Sequence, residues 1–370
     1  MNKKEVAEIK KQFTDERCTI TKIAGCYVDT EKNIKTTLNE TFLTMEEEER
    51  FKYFELLKAG LGGKIGKNLM NMSFPASEEE EGGKQNSLYR ILRSDFSEEI
   101  MNSFFQQIIE TYQYPDNYFI LVMKAAYDVP GQTLEGEEMV DSSDYVYEHM
   151  LCLICPIKPS KPGLTYDSID NAIINSIRNM MIEKPEHGFL FPAFNDRNTD
   201  LHAALYFTKK ADSPSSDIIE NILGCSVPKT ASEQHEIVVT AISEGLGEDC
   251  TFDAVKSICE DIVDAKNLVE GKEEYELNRD NLHTILDDAG ANTSQVDAVQ
   301  EVIEESVEEE QPILANNFFD GNKLAIKNSY LDLKVNIDHC HDVTVERVNG
   351  AKCLVIRIND DLEVNGVPVK

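Results

Sequence analysis

The sequence predicts an α+β protein in which a mixed sheet with flanking helices is followed by a helical segment and a small C-terminal β module. Three observations support this class. Strand-like and helix-like patterns alternate irregularly up to about residue 210. The patterns between residues 211 and 311 are nearly all helical, and the last part of the chain returns to strand-like composition. We therefore expect three domains, at residues 1–210, 211–311 and 312–370.

The first 60 residues predict two helices around a strand pair. Apolar residues at helical spacing indicate the first helix, and the turn Asp29–Asn33 separates the two strands. The predicted elements are a helix at Val6–Phe13, strands at Thr19–Val28 and Ile34–Leu43, and a helix from a capping box at Thr44–Glu47 to Gly60.

Residues 100–210 predict further strands and two helices. Two continuous apolar runs, Tyr118–Met123 and Met150–Ile157, are typical of strands that are buried on both faces. A helix at Ile100–Tyr112 precedes them, and strands at Phe189–Phe194 and Leu201–Thr208 come last. Between them we expect a helix at Asp167–Ile182, whose apolar stripe is Ile169, Ile173, Ile177 and Met180.

The C-terminal 160 residues predict helices and then a hairpin. Asn349-Gly350 has the composition of a type I′ turn between two strands. The expected elements are helices at Ile237–Leu246, Phe252–Val263, Leu282–Ala289 and Val296–Val307, and strands at Tyr330–Ile337 and Val343–Ile356.

The chain is strongly acidic, with 36 Lys and Arg against 68 Asp and Glu and a formal charge of −32. This charge disfavours nucleic acid and anionic membranes as partners, and acidic runs such as Glu46–Glu49, Glu78–Glu81 and Glu308–Glu310 favour a solvated surface. The N-terminus has no apolar core of a secretory signal, and nine scattered cysteines are typical of free thiols. We expect a cytoplasmic protein.

A glycine-rich stretch, Gly60–Asn68, invites comparison with a phosphate-binding loop. A P-loop requires glycine where Leu61 stands and a hydroxyl residue where Asn68 stands. The stretch also follows a predicted helix, whereas nucleotide-binding loops follow a strand. An ordinary loop is therefore favoured, and no cofactor is expected.

Two clusters of possible metal ligands also have a structural explanation. Asp338–Asp342 contains His339 and His341, but two histidines fall short of the three or four ligands that a zinc site needs, so a polar turn is favoured. Cys152 and Cys155 form half of a zinc motif inside an apolar run, which favours buried structural thiols.

The strongest catalytic candidates are polar residues next to apolar strands. An acid and a guanidinium at the end of a strand, with histidines nearby, would suit acid–base or metal-assisted hydrolysis. The alternative is an Asp196–Arg197 ion pair that only fixes a loop. The candidate residues are Asp128, His187, Asp196, Arg197 and His202.

Several stretches resemble an uncharacterised bacterial family that is defined only as a domain of unknown function. The resemblance is carried mainly by Cys152–Ile157 with Ser160–Leu164, and by Gly188–Phe194 with Asp196 and Arg197. Supporting stretches elsewhere extend it over nearly the whole chain. The resemblance implies no activity and therefore no catalytic residues.

Two functions are consistent with these observations. The favoured one is a non-enzymatic interaction or regulatory protein whose helical segment and acidic surface bind another protein. The alternative is a hydrolase-like enzyme of unknown substrate, which requires Asp128, Asp196 and Arg197 to line one pocket with His187 or His202.

Overall fold

The computed structural model describes residues 1–132, 138–161, 163–169, 171–175, 179–269, 275–307 and 311–369. Pro162, Ile177 and Glu308–Glu310, which the sequence analysis used, lie outside these residues. The chain divides into two compact units, Met1–Thr230 and Ala231–Lys370. The predicted α+β class is confirmed, whereas the predicted domain boundaries at residues 210 and 311 stay predictions.

The first unit is built on one large sheet whose described pairings are antiparallel, where the sequence analysis expected a mixed sheet. The strand order is β2-β1-β4-β5-β9-β12-β3, with β8 paired to the end of β5. The strands are β1 (Ile20–Val28), β2 (Ile34–Thr41), β3 (Leu69–Ser73), β4 (Tyr118–Gln132), β5 (Glu138–Pro159), β6 (Leu164–Asp167), β7 (Ala172–Asn175), β8 (Met180–Ile182), β9 (His187–Phe191), β10 (Ala193–Asn195), β11 (Asn198–Asp200) and β12 (Ala203–Thr208).

Helices cover both faces of this sheet. One face packs against α4, α5 and the helical turn after residue 215, and the opposite face packs against α1 and α2. The helices are α1 (Lys3–Lys10), α2 (Glu47–Gly60), α3 (Ala76–Glu79), α4 (Lys84–Arg93), α5 (Glu98–Thr111) and α6 (Ser216–Ile218).

Strand β5 shows why the sequences of the central strands are continuous apolar runs. Met150 and Cys152 point into the core under α4 and α5, whereas Leu151 and Leu153 point into the core under α1 and α2. Successive side chains of a strand alternate between faces, so a strand with helices on both sides needs apolar residues at every position. The prediction of buried strands at Tyr118–Met123 and Met150–Ile157 is confirmed.

The predicted helix at Asp167–Ile182 is wrong, because this segment contains the β6–β7 hairpin and strand β8. Its described isoleucines have helical spacing, but β-branched side chains also suit strands, and Asn171 adopts the left-handed conformation of a turn. The capping box at Thr44–Glu47 is also wrong. A 3₁₀ turn occupies Phe42–Thr44, the Thr44 hydroxyl donates to the Thr41 carbonyl, and α2 begins at Glu47.

The second unit begins with a group of helices around its own apolar core. Val238, Ile262, Leu286 and Val299, from four different helices, are almost fully buried in this core. The predicted helix stop at Gly290 is confirmed by its left-handed φ of 88°. The helices are α7 (Ala231–Leu246), α8 (Phe252–Leu268), α9 (Arg279–Asp288), α10 (Thr293–Ser306) and α11 (Ala315–Phe318).

Three small hairpins follow these helices. Asn349 and Gly350 both have positive φ between β15 and β16, which confirms the predicted type I′ turn. Cys259 of α8 packs against Leu324 and Ile337, so this part of the β module shares a core with the helices. The strands are β13 (Lys323–Lys327), β14 (Asp332–Asn336), β15 (Val343–Val348), β16 (Ala351–Ile356), β17 (Leu362–Val364) and β18 (Val367–Val369).

Candidate functional site

Asp196 and Arg197 form the two-residue turn of the β10–β11 hairpin. Asn195 pairs with Asn198 across this turn, and the φ angles of Asp196 and Arg197 are 50° and 54°. Both residues are therefore left-handed, as a type I′ turn requires, although asparagine and glycine are the residues that adopt this conformation cheaply. A left-handed non-glycine residue costs roughly 1–2 kcal/mol, so other contacts must hold this turn.

The contacts that hold the turn come from α1 and from strands β4 and β5. The Arg197 guanidinium donates to both carboxylate oxygens of Glu8, at 3.1 and 2.9 Å, and to the carbonyl of Pro130 at 3.1 Å. The Tyr127 hydroxyl donates to Glu8, and the Tyr145 hydroxyl donates to the Arg197 carbonyl at 2.6 Å. Arg197 thus forms a bidentate ion pair with Glu8, whereas the sequence predicted Asp196 as its partner.

Replacing Arg197 by alanine is expected to lower the free energy of unfolding of the first unit by about 2 kcal/mol. The side chains of Arg197 and Glu8 are only 20% and 15% exposed, and a charge left without its partner at such a site is costly. A double-mutant cycle with Glu8→Ala, measured by chemical denaturation, should show a coupling energy of about 1 kcal/mol or more. The exposed pair Arg93–Glu148 is the control, for which we expect a coupling near zero. Equal coupling in both pairs would contradict the assignment.

His187 is half-buried in an aromatic cluster on the other side of the sheet. The Tyr206 hydroxyl accepts from the Ser215 amide at 2.8 Å and shares a hydrogen bond of 2.9 Å with His187 Nδ1. The Tyr112 ring meets the imidazole edge to face. Burial lowers the pKa of His187 to about 4, so this imidazole is neutral near pH 7.

His202 and Asp128 lie at the surface and have different neighbours. His202 Nδ1 lies 2.6 Å from Glu79 Oε1, and this hydrogen bond raises the pKa of His202. Asp128 is exposed and accepts a hydrogen bond from the Ser143 hydroxyl at 3.3 Å. Neither contact involves the Arg197 network.

The large sheet separates the predicted catalytic residues. Tyr127, which contacts Glu8, belongs to the core under α1 and α2, whereas Tyr206, which contacts His187, belongs to the core under α4 and α5. Alternation along β4 places Asp128 on the face opposite Tyr127. A reacting atom within hydrogen-bond reach of Arg197 is therefore out of reach of His187.

Cys152 and Cys155 are both fully buried, but they belong to the cores on opposite faces of the sheet. Burial raises the pKa of both thiols far above its usual value. Two thiols on opposite faces of one strand cannot bind the same zinc ion, because their side chains point apart. The geometry fits their packing as small apolar residues.

Residues Ile337–Asp342 form a short 3₁₀ helix that joins β14 and β15, in agreement with the predicted polar turn. Cys340 is buried and donates to Glu260 of α8, whereas His339 and His341 are exposed. In the described part of the chain, no group of three or more His, Cys, Asp or Glu side chains is placed to hold a metal ion.

The loop after α2 is tied to the sheet through Asn68. The Asn68 side chain donates to the carbonyls of Thr208 and Lys209, at 3.1 and 3.2 Å. Gly63 has a φ of 105°, and a Cβ there would lie 2.4 Å from the Asn68 side chain. Asn68, which stands at the magnesium-binding position of a P-loop, therefore serves to fix this loop.

An apolar arm extends from the end of β5 and comprises the described residues 157–182. Leu164, Tyr166 and Ile173 lie on one face of its β6–β7 hairpin and are 74%, 59% and 65% exposed. Ile169, in the turn, is 91% exposed. Exposed apolar side chains that cluster in this way mark interaction surfaces. This surface was not predicted from the sequence, because Ile169 and Ile173 were assigned to the apolar stripe of a helix.

The helices of the second unit carry a dense negative charge. Residues 231–310 contain 23 Asp and Glu but only 4 Lys and Arg. All the described carboxylates in this range are exposed, except Glu260 and Asp261, which are half-buried. Burial raises the pKa of Asp261, and the neighbouring Asp288, Glu260 and Asp264 raise it further. Such a surface attracts cations and cationic proteins over distances of about a Debye length.

No helix among the described residues is long and apolar enough to cross a membrane.

Comparison with known proteins supports the resemblance found in the sequence. No curated protein matches the chain. The sequence model of a family described as "Domain of unknown function (DUF4317)" matches residues 1–367. Because this match covers almost all of its 370 residues, the chain belongs to the DUF4317 family.

Proposed function

We propose that this protein is a non-enzymatic cytoplasmic interaction protein, whose acidic helices bind a basic surface of another protein. The observation that carries the proposal is the concentration of exposed carboxylates on the second unit. A net charge of −19 arises from residues 231–310 alone, out of −32 for the chain. Charge of one sign on one region steers an oppositely charged partner and speeds its association.

The chemistry of the partner follows from this charge. Nucleic acid and anionic lipid are repelled, so the complementary surface is one rich in lysine and arginine. The separation of Arg197 from His187 by the sheet also favours binding over acid–base catalysis. The hydrolase-like alternative requires Asp128 and Arg197 in one pocket with His187 or His202. Alternation along β4, however, places Asp128 on the face opposite Tyr127 and the Arg197 network, and we propose no catalytic step.

The proposal is tested by affinity capture from a native lysate, with the bound proteins identified by mass spectrometry. The bait is the intact chain or a variant that carries Asp287→Asn, Asp288→Asn, Glu301→Gln and Glu305→Gln. These four exposed carboxylates lie on α9 and α10. We expect the variant to retain at least 10-fold less of a basic partner, because most of the attraction is electrostatic.

A matched control separates the surface from the total charge. The control variant loses four exposed carboxylates of the first unit, at Glu16, Glu55, Glu110 and Glu183. We expect it to retain the partner as well as the intact chain does. Equal loss from both variants, or no partner on any well-folded bait, would contradict the proposal.

A further inference from the structure

The apolar arm continues strand β5 beyond the large sheet, and its outgoing and returning strands pair with each other. Pro159 pairs with Met180, the Ser160 amide donates to the Asn179 carbonyl at 2.7 Å, and Leu164 pairs with Asn175. In both paired stretches, moving one residue forward along the outgoing strand moves the pairing partner one residue back along the returning strand. The two stretches therefore share the register of a single antiparallel hairpin.

The arm exposes apolar side chains on both of its faces. Tyr166 and Ile173 are direct cross-strand partners, and Leu164 lies on the same face. Met180, Met181 and Ile182 follow one another along β8 and are 44%, 52% and 40% exposed. Since neighbouring residues of a strand point to opposite faces, neither face of this stretch is covered within the described chain.

Such a hairpin needs a partner to be stable. Strands β6 and β7 pair only with each other among the described residues, in a two-stranded sheet of four residues each. An isolated two-stranded hairpin is marginal in water, and a third strand or a packed face is required for stability. The arm therefore has the properties of a surface that packs against a binding partner.

The exposed area matches that of a standard interface. Seven apolar side chains of the arm are exposed by 40% or more, namely Leu164, Tyr166, Ile169, Ile173, Met180, Met181 and Ile182. With roughly 150–200 Å² for a whole side chain, they expose about 700 Å² over the two faces and the turn of the arm, about half of it on the face that carries Leu164, Tyr166 and Ile173. A stable complex takes about 800 Å² from each partner, so an interface of this kind covers both faces of the arm.

The charge distribution identifies the partner. Residues 157–182 contain five charged side chains, three basic and two acidic, so the arm has a net charge of +1 on a chain whose net charge is −32. A basic partner gains little from so neutral a surface. Two identical acidic chains, by contrast, repel each other least where they meet through a neutral surface. A face that is apolar and nearly uncharged is also complementary to itself, as a two-fold interface requires.

We propose that two copies of this chain form a homodimer through the apolar arm, with the faces that carry Leu164, Tyr166 and Ile173 packed together about a two-fold axis. Sedimentation of the intact chain then gives a mass of two chains at micromolar concentration. Added salt strengthens this dimer, because it screens the repulsion between the acidic bodies and leaves the apolar contact intact. A basic partner on the helices has the opposite salt dependence.

The test is sedimentation equilibrium of the intact chain and of a Leu164→Glu, Ile173→Glu variant. Two carboxylates on the packed face are expected to weaken dimerisation at least 100-fold. Because both side chains are exposed, the variant should remain folded, with the far-ultraviolet circular dichroism spectrum of the intact chain at 25 °C, while its melting temperature loses the contribution of the dimer. The control is Leu43→Glu, Phe51→Glu, at residues that are both 59% exposed and lie outside the arm, and it should dimerise normally.

The outcomes separate this inference from the proposed function. If the intact chain stays monomeric up to about 100 µM, the proposed dimer is overturned, because a specific interface of this size is expected to give a tighter dissociation constant. A dimer that survives the arm substitutions would overturn the placement of its interface. Neither result affects the capture of a basic partner, which depends on α9 and α10.

Discussion

Replacing Gly188 by alanine is expected to lower the free energy of unfolding of the first unit by about 3 kcal/mol, the upper range for overpacking a core. A Cβ at this position would lie 2.5 Å from the carbonyl oxygen of Cys152 and 2.6 Å from Leu153 Cδ2. Strand β9 is paired with β5 on one side and with β12 on the other, so it cannot move away. The sheet must deform to admit a single methyl group.

Chemical denaturation of the Gly188→Ala variant measures this effect. Gly163→Ala is the matched control, because a Cβ at Gly163 has nothing within 4 Å. We expect the control to change the free energy of unfolding by less than about 0.5 kcal/mol, as is usual for an exposed site. A Gly188 variant as stable as the control would show that β5 and β9 are further apart than described.

Acid is expected to destabilise the first unit through His149. This side chain is fully buried and stacked on Tyr147, and its Nε2 has no hydrogen-bond partner among the described residues. Burial lowers its pKa from 6.5 to about 4. Between pH 6.5 and 4 the unfolded chain therefore binds a proton that the folded chain does not, so stability falls as the pH falls. The full loss is about 3 kcal/mol, and above pH 6.5 His149 contributes no pH dependence.

The measurement is the free energy of unfolding between pH 4 and 7.5 for the intact chain and for His149→Phe. The carboxylates titrate in both proteins, so the difference between the two curves isolates the histidine. We expect the variant to lose about 3 kcal/mol less than the intact chain over this range. His202→Gln is the control, because Glu79 raises the pKa of that exposed histidine and its small contribution has the opposite sign. Parallel curves for the intact chain and the phenylalanine variant would contradict the assignment.

Elements with one clear periodicity could be predicted from the sequence. The apolar runs that became β4 and β5 were recognisable because helices cover both faces of the sheet. The arm was mispredicted for a related reason. Ile169 and Ile173 recur at helical spacing but are both exposed, and periodicity indicates a helix only where one face is buried.

The candidate site was harder to predict than the elements. The sequence predicted an ion pair between Asp196 and Arg197, whereas the bidentate partner of Arg197 is Glu8, which lies 189 residues away in the sequence. Contacts of that separation depend on the packing of α1 against the sheet, which no local pattern encodes. The separation of Arg197 from His187 and Asp128 by the sheet depends likewise on strand register, which is set by the whole sheet.

The charge of the helical segment supports the interaction function most directly. The count of 23 acidic against 4 basic residues is readable from the sequence, and the structure adds that nearly all of the described carboxylates are exposed. An excess of one sign over 80 residues opposes compaction and is expected to be offset by a partner of the other sign.

The measurement that tests this account most directly is the capture of native partners by the intact chain at low and at high ionic strength. The account predicts a basic protein that is retained at about 0.05 M salt and released at about 0.5 M, where the Debye length falls to a few ångströms. A chain that retains no partner at low salt, or one whose partners are neutral and stay bound at high salt, would contradict it.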